Sequence, residues 1–246
     1  MNFYKNILER TSVRDFDESK EISPEIMNQL INTIQLAPTS SNWFSSSAIV
    51  ISDKKLLQKL SQTSKYMNHL SKAKMLVVFL ADYNRMELAK KTYPEYKYKS
   101  NSSESFTVGI GDAFIQATML QDIAIANGLG TCFLGLVRTI VDELIDILNI
   151  KGKAYPVIGL AVGYAKTTAP VKPKLNRVFM NEYNFEAIEC QANKYSEELI
   201  EYYSKLNPNK PSYSYLEASI ISASRYVMDT DKIENIWDLQ LVEKNK

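Results

Sequence analysis

Residues 75–81 read Met-Leu-Val-Val-Phe-Leu-Ala, seven apolar residues without a polar interruption. A strand with one buried face alternates apolar and polar side chains, whereas a strand covered on both faces is apolar throughout. The run is as long as a strand and shorter than most helices, and its β-branched and aromatic residues favour an extended backbone. The stretch therefore predicts a central strand with helices on both sides of its sheet.

Helices and strands alternate around this run. Ser23 precedes Pro24 at the expected start of a helix that ends before Pro38, and Asp53 is placed to cap another helix. Further strands are predicted at residues 48–51, 131–134 and 157–163, and an amphipathic helix at 140–148. The pattern predicts an α+β protein with an α/β-like order, in which helices flank a mixed central sheet.

The segment 108–127 is apolar on more than one face and stops before Gly128, which predicts a long helix with glycine just after its end. Such a helix needs cover from its own sheet and from a second copy of the chain, which favours a homodimer. Residues 93–105 are rich in tyrosine, lysine, serine and asparagine, and this composition predicts a loop.

After Asn176 the pattern loosens into a tail, with helices predicted around residues 195–205 and 215–228. We interpret residues 1–176 as the core and residues 177–246 as a helical extension of the same domain. The length of 246 residues is ordinary for one α/β domain.

The overall charge excludes two classes of partner. Lysine and arginine total 29 against 28 acidic residues, a net charge of +1, so neither a nucleic acid nor an anionic membrane is expected as a partner. No stretch approaches the roughly 20 apolar residues that span a bilayer. Cys132 and Cys190 lack disulfide or metal-site spacing, so we expect a soluble cytoplasmic protein without a metal site.

A hydrolase would depend entirely on His69, the single histidine of the chain. The sequence therefore disfavours a Ser-His-Asp or Cys-His mechanism. A lone histidine is more often a packing or surface residue.

Two short segments are suited to bind an anion. Residues 10–14 read Arg-Thr-Ser-Val-Arg, and residues 172–174 read Lys-Pro-Lys. Arginine offers a planar fork of donors, and hydroxyls and lysines add single donors, a combination that fits phosphate. Each segment taken alone is a weak signal, and such a cluster is more often ordinary solvated surface.

Two further segments could approach a ligand with small side chains or bare backbone. Residues 38–42 read Pro-Thr-Ser-Ser-Asn, and residues 128–135 contain three glycines around a predicted strand. Neither these glycines nor Gly109 and Gly111 have the spacing of a dinucleotide-binding or Walker loop. A Rossmann nucleotide site is therefore not predicted.

Taken in order, these segments resemble the nitroreductase family, and within it the larger NADPH-dependent nitroreductase and flavin reductase branch. The matching segments run from about Leu8 to Tyr183, with a fainter match at Ser224 and Arg225. They are residues 10–16, 37–42, 81–85, 128–130, 163–164 and 172–174.

The resemblance implies an FMN-dependent homodimer with the flavin at the subunit interface. Arg10, Thr11, Ser12 and Arg14 would hold the FMN phosphate and ribityl chain, and Lys172 and Lys174 would complete the phosphate clamp. Ser40 and Ser41 would reach the flavin from the partner subunit. His69, Leu134 and Gly135 would lie beside the flavin, and Arg225 would bind NADPH or NADH.

The chain departs from the family at two of these positions. Phe44 stands where glutamine is frequent, and it would change the polar contacts to the flavin or stack on a ring. Lys174 stands where the branch has arginine and lacks the bidentate fork. The loop between Tyr203 and Tyr215 offers only Lys205 and Lys210 for a 2′-phosphate, so the choice between NADPH and NADH stays open.

The expected activity is ping-pong: NAD(P)H reduces the flavin, and a nitroaromatic, quinone, azo compound or free flavin then takes the electrons. The flavin carries the chemistry, so no acid-base dyad is required. The alternatives are another flavoenzyme on the same scaffold, such as a dehydrogenase, dehalogenase or free-flavin reductase, and a flavin-binding sensor without turnover. A structural protein whose basic clusters are ordinary surface is the third alternative.

Overall fold

The computed structural model describes residues 3–225 and 230–239. The strands are β1 (Ser46–Ile51), β2 (Met75–Asp82), β3 (Gly130–Leu134) and β4 (Ala154–Gly163). The helices are α1 (Phe3–Glu9), α2 (Pro24–Gln35), α3 (Lys54–Ser61), α4 (Asn84–Thr92), α5 (Ser103–Ala126), α6 (Val141–Leu148), α7 (Ala187–Leu206), α8 (Tyr215–Arg225) and α9 (Thr230–Trp237). The predicted α+β class is confirmed.

The four strands form one sheet in the order β1-β2-β4-β3, and every neighbouring pair is antiparallel. A parallel bridge between Ser12 and Thr131 extends the sheet beyond β3. Strand β2 lies inside the sheet, as residues 75–81 predict.

Strand β2 divides its side chains between two cores. Leu76, Val78 and Leu80 pack into one core, and the odd-numbered residues from Met75 to Ala81 pack into the other. Side chains alternate across a strand, so an apolar residue is needed at every position when both faces are covered. This explains the unbroken apolar run.

Helices cover both faces of the sheet. The first core takes Leu57 and Leu60 from α3 and Leu144 from α6. The second takes residues from α2 and α5 together with Trp237 of α9. Both cores also include side chains from the strands between them, and the sheet therefore forms the middle layer.

Two helix starts follow the predicted capping. Ser23 Oγ accepts a hydrogen bond from the backbone N–H of Ile26 at 3.3 Å, ahead of Pro24 at the first position of α2. Asp53 Oδ1 accepts from the N–H of Leu56 at 2.8 Å at the start of α3. These side chains satisfy donors that a helix cannot pair internally.

Helix α5 is longer than the apolar pattern predicts. It begins at Ser103, where Ser102 Oγ accepts from the N–H of Ser105 at 3.1 Å, so the expectation of a loop as far as residue 105 is wrong for its last three residues. The polar first turn hides the helix from a hydrophobic pattern. Gly128 follows with φ +74°, the left-handed conformation expected after a helix end.

The helix α9 has no counterpart in the predictions, yet it contributes to the second core. Trp237 is fully buried, and its Nε1–H donates to Ser105 Oγ at 3.0 Å. The ring also lies edge-on to Tyr83 and Phe106, with centroids about 5 Å away. Helix α9 therefore stabilises the start of α5.

The described residues divide into two compact units, one of residues 3–169 and 230–239 and the other of residues 170–225. In the second unit, an irregular arm leads into α7 and α8, which include the predicted helices 195–205 and 215–225. Residues 226–228 of the second predicted helix lie outside the described residues. The arm is tied to α7 by Tyr195 Oη–H donating to the carbonyl of Pro173 at 3.2 Å and by Tyr202 Oη–H donating to that of Pro170 at 2.9 Å.

In the part of the chain that the structure describes, no helix is both long and apolar enough to cross a membrane.

Candidate functional site

The basic segment 10–14 is attached to the edge of the sheet along β3. Ser12 forms the parallel bridge with Thr131, and the N–H of Val13 donates to the carbonyl of Thr131 at 2.9 Å. Val13 is buried in the first core. Gly130 makes room for this approach, because a Cβ there would lie 2.6 Å from Cγ2 of Val13.

With Val13 turned inward, Ser12 and Arg14 on either side of it are exposed. Neither Arg10 nor Arg14 has a carboxylate partner among residues 3–225 and 230–239. Two arginines that no carboxylate neutralises, next to the hydroxyls of Thr11 and Ser12, form a surface that can bind an anion such as phosphate.

His69 is buried beside this segment. It lies in a 3₁₀ turn, Asn68–Lys72, and its ring stacks on Phe16 with centroids 6.3 Å apart. Burial lowers the pKa of His69, and the positive charge of Arg14 lowers it further. The ring is therefore neutral at pH 7, and in the described structure its buried Nε2 has no hydrogen-bond partner.

A buried polar atom without a partner costs free energy unless a ligand or water satisfies it. The unpaired Nε2 of His69, together with the charge of Arg14 that acts on the same ring, thus fits a ligand that carries both an anionic group and a polar ring system. Flavin mononucleotide has both features, and the residues present at this edge fit it.

Leu134 and Gly135 complete the same edge of the sheet. Leu134 ends β3 and is buried, and Gly135 is half-buried at the start of a 3₁₀ turn, Gly135–Thr139. They follow Thr131 by three and four residues, which corresponds to about 10 Å along a strand. The structure therefore places residues 10–14, His69 and residues 134–135 on one side of the molecule.

Ser40 and Ser41 lie at the opposite corner of the sheet. Their loop leads into Ser46, which begins β1 and pairs with Ala81, whereas Thr131 in β3 pairs with Val162. The spacing between strands and the rise along them put Ser46 and Thr131 about 14 Å apart across the sheet and about 20 Å apart along the strands. One chain therefore does not bring Ser40 and Ser41 to the basic segment.

The loop 39–45 has an unusual backbone. Ser41, Asn42 and Phe44 have φ of 47°, 59° and 49°, in the left-handed region that L-residues other than asparagine and glycine rarely adopt. Phe44 has an exposed side chain and forms no ring contact with the described aromatic residues. Its stacking on a ring of the ligand stays a prediction.

Two residues without a role in the sequence analysis hold this loop. Asp112 of α5 accepts hydrogen bonds from Thr39, Ser40 and Ser45. Arg85 of α4 donates to the carbonyls of Phe44 at 3.0 Å and Ser46 at 3.3 Å.

The sequence does contain a signal for Asp112. It is a carboxylate inside the apolar part of α5, and a buried carboxylate requires donors nearby. The resemblance segment 81–85 includes Arg85 but assigns it nothing. Besides the two carbonyls, Arg85 donates to Ser47 Oγ at 3.0 Å and lies 3.6 Å from Asp82 Oδ2, and these contacts depend on the fold.

Lys172, Lys174 and Arg225 belong to the unit of residues 170–225. Lys172 Nζ lies 5.2 Å from the ring centroid of Tyr203, a cation–π contact. Lys174 is exposed and has no partner in the described part of the chain, and Arg225 is exposed at the end of α8. Their binding roles stay predictions.

Comparison with known proteins finds one matching family model and relatives that are named as reductases. The nitroreductase family model matches residues 7–164. The chain is 27% identical over 219 residues to the FMN reductase (NAD(P)H) of Bacillus subtilis (strain 168), covering 87% of this chain and 88% of that protein. It is 30% identical over 203 residues to a Cr(VI) reductase of Pseudomonas sp. (strain G-1), covering 81% and 83%.

Among solved structures, the hypothetical oxidoreductase YcnD from Bacillus subtilis superposes with a TM-score of 0.88 at 26% identity, covering 99% of this chain and 100% of that one. The matched region contains the whole four-stranded sheet and the basic segment on its β3 edge. The fold and the site define an oxidoreductase scaffold, and the chain belongs to the nitroreductase family.

Proposed function

We propose that this protein is an FMN-dependent NAD(P)H oxidoreductase that reduces small acceptors such as nitroaromatics, quinones or free flavins. The family membership supplies FMN as cofactor and NAD(P)H as electron donor. The observation that carries the proposal is the β3 edge. Within the described residues, Arg10 and Arg14 have no carboxylate partner there and the buried Nε2 of His69 has no hydrogen-bond partner.

The residues at this edge bind and orient the cofactor. Arg10, Ser12 and Arg14 hold the phosphate through charge-assisted hydrogen bonds, and Thr11 adds a hydroxyl for the ribityl chain. The neutral His69 offers Nε2 to the polar side of the ring system. Held by these residues, FMN would supply the transfer of hydride and electrons between the nicotinamide and the acceptor.

The two substrates use one site in turn, which gives ping-pong kinetics. The protein needs no acid-base dyad, because its groups orient the ring and exclude water while the cofactor carries the electrons. Leu134 and Gly135 provide an apolar side chain and a bare backbone at the end of β3, which suits contact with a flat ring.

The functional unit is a homodimer, because a single chain leaves the site incomplete. Ser40 and Ser41 lie at the far corner of the sheet, so their predicted contact with flavin requires the site of a second copy. Phe114 and Ile115 of α5 remain 42% and 40% exposed, and Phe3, Tyr4 and Leu8 of α1 are also exposed. A paired copy buries this apolar surface.

Lys172 and Lys174 complete the phosphate clamp, and Arg225 binds the pyridine nucleotide. The resemblance supports these assignments, and both lysines lack an ion-pair partner within the described residues. The cysteines are free thiols, Cys132 buried and Cys190 exposed, which suits the reducing cytoplasm that we propose as the location.

The absorption spectrum of the purified protein, before and after anaerobic addition of NADH and of NADPH, tests the proposal. We expect a yellow protein with a flavin spectrum that is bleached by at least one coenzyme. Steady-state rates with a nitroaromatic, a quinone and FMN then identify the acceptor class. Flavin that neither coenzyme bleaches favours a sensor, and colourless protein that FMN cannot reconstitute overturns the proposal.

A further inference from the structure

Asp112 is the only acidic residue that is buried within residues 3–225 and 230–239. Its side chain is 3% exposed and lies in α5 among apolar neighbours. One oxygen, Oδ1, accepts from the N–H of Ser40 at 3.0 Å. The other, Oδ2, accepts from the Thr39 hydroxyl at 2.5 Å and from the N–H of Ser45 at 3.1 Å.

The three donors come from both ends of one loop. Thr39 Oγ1 also accepts from the N–H of Phe44 at 3.0 Å, so the carboxylate and this hydroxyl together order residues 39–45. Between these anchors lie the left-handed residues Ser41, Asn42 and Phe44. A backbone of this kind persists only where its surroundings fix it.

The same loop carries Ser40 and Ser41 as exposed residues at the corner of the sheet away from the basic segment. The Ser40 N–H and the Thr39 hydroxyl are turned toward Asp112, so the serine hydroxyls stay available outside. The left-handed backbone of the loop and its hydrogen bonds to Asp112 thus fix Ser40 and Ser41 with their hydroxyls exposed.

We propose that Asp112 is a positioning residue that sets Ser40 and Ser41 for the flavin held by the other copy of the chain, an inference that rests on the proposed function. Asp112 touches no cofactor. It acts through the loop, so a change at Asp112 in one subunit affects the site formed on the basic segment of its partner.

An amide cannot replace this carboxylate. Each oxygen faces a backbone N–H, so in either orientation the Nδ2 group of asparagine would face one of the two donors, Ser40 N–H or Ser45 N–H. The substitution Asp112→Asn therefore breaks one anchor and leaves its donor buried without an acceptor.

The first experiment is the FMN dissociation constant of dimeric Asp112→Asn, measured by flavin fluorescence on reconstituted apoprotein. We expect the dissociation constant to rise about 10-fold to 100-fold, which corresponds to the loss of one hydrogen bond to a charged group. Asp146→Asn makes the same chemical change at an exposed carboxylate of α6, outside the loop and the proposed subunit interface, and it is expected to bind FMN as the wild type does. Thr39→Val tests the same anchor if Asp112→Asn fails to fold.

The second experiment separates positioning from a general loss of structure. Two differently tagged chains, one with Arg14→Ala and one with Asp112→Asn, are co-expressed, and the mixed dimer is purified through both tags. One of its sites combines the intact basic segment of the Asp112→Asn chain with the intact loop of the Arg14→Ala chain. We expect half of the wild-type FMN content in the mixed dimer and very little in either parent.

A mixed dimer as depleted as its parents would overturn the inference, because the loop would then act within its own chain. Wild-type FMN affinity in both Asp112→Asn and Thr39→Val would also overturn it. Wild-type protein that binds no FMN at all counts against the proposed function itself, so the two failures are distinguishable.

Discussion

The side chain of Val13 occupies the space that a Cβ on Gly130 would need, with Cγ2 of Val13 2.6 Å from that position. Val13 lies between Ser12 and Arg14, and its N–H is bonded to Thr131 next to Gly130. The absence of one side chain on β3 therefore determines how closely the basic segment docks on the sheet.

Gly130→Ala is expected to lower the free energy of unfolding by about 1–3 kcal/mol, because the added methyl group overpacks against Val13. The segment must move away from β3, so FMN affinity should fall as well. Chemical denaturation and FMN titration measure the two effects. Val13→Ala is the matched variant, because it removes the methyl groups that the new Cβ would meet, and the double variant should recover part of the loss. Wild-type stability and FMN affinity in Gly130→Ala would refute the docking argument.

Arg14→Ala is expected to yield protein depleted of FMN, with a dissociation constant raised about 10-fold to 100-fold through the loss of a charge-assisted phosphate contact. Arg14→Lys should retain part of the affinity, since lysine keeps the charge without the fork. Lys151→Ala is the control, since it removes an exposed positive charge ahead of β4, at the end of that strand away from the partner of Thr131. Full retention of yellow colour by Arg14→Ala would show that the phosphate lies elsewhere.

His69 should make stability depend on pH. Burial and Arg14 lower its pKa in the folded chain, so the unfolded chain, with a pKa of about 6.5, binds the proton more readily. The contribution of the neutral His69 ring to the free energy of unfolding is fully present above the unfolded pKa and is lost as the pH falls below it. We expect the apoprotein to lose free energy of unfolding between about pH 7 and 5, and His69→Gln to lose less. Parallel pH profiles for the two proteins would contradict this.

The same relationship predicts a titration shift. Because the charge of Arg14 lowers the pKa of His69, Arg14→Ala should raise it. Nuclear magnetic resonance of the single histidine ring reports this directly, since the chain has only one histidine. An unchanged ring titration would place Arg14 away from His69.

Trp237→Ala is expected to cost about 3–5 kcal/mol, the usual effect of removing a fully buried large aromatic side chain. The loss includes the hydrogen bond to Ser105 Oγ and the contacts with Tyr83 and Phe106. Leu88→Ala, at an exposed leucine of α4, should change stability by less than about 0.5 kcal/mol. Thermal unfolding of both variants tests the difference.

A charge on the apolar face of α5 should separate the subunits. Ile115→Asp places a carboxylate at a position that a paired copy would bury, and it is expected to shift the protein toward monomer with loss of FMN. Leu88→Asp adds the same charge at an exposed site outside α5. Light scattering gives the mass of each, and a fully dimeric Ile115→Asp protein would exclude this face as the interface.

Local chemistry predicts much of the fold. The apolar run of β2 and the caps Ser23 and Asp53 act through neighbours in sequence, so periodicity and capping rules identify them. The start of α5 at Ser103 and the helix α9 were missed because their polar residues hide the pattern. Trp237 gains its importance from residues that lie more than eighty positions earlier in the chain, among them Tyr83, Ser105 and Lys153.

The site is predicted less completely, and for a physical reason. Side chains suited to phosphate, such as Arg10 and Arg14, can be recognised by type. The anchors Asp112 and Arg85 act mainly on backbone groups, and a backbone group gives no signal in the sequence. The distance between Ser40 and the basic segment depends on the strand order, which no local pattern encodes.

Strand β2 places successive residues in opposite cores, and this restricts how the gene can change. Deleting or inserting one codon within residues 75–81 would exchange the two sets of side chains and disturb both cores at once. Substitutions of similar volume are tolerable there, whereas changes of length are not. Length variation among descendants of this chain should accumulate instead in irregular stretches, such as residues 93–102 and the arm after residue 170.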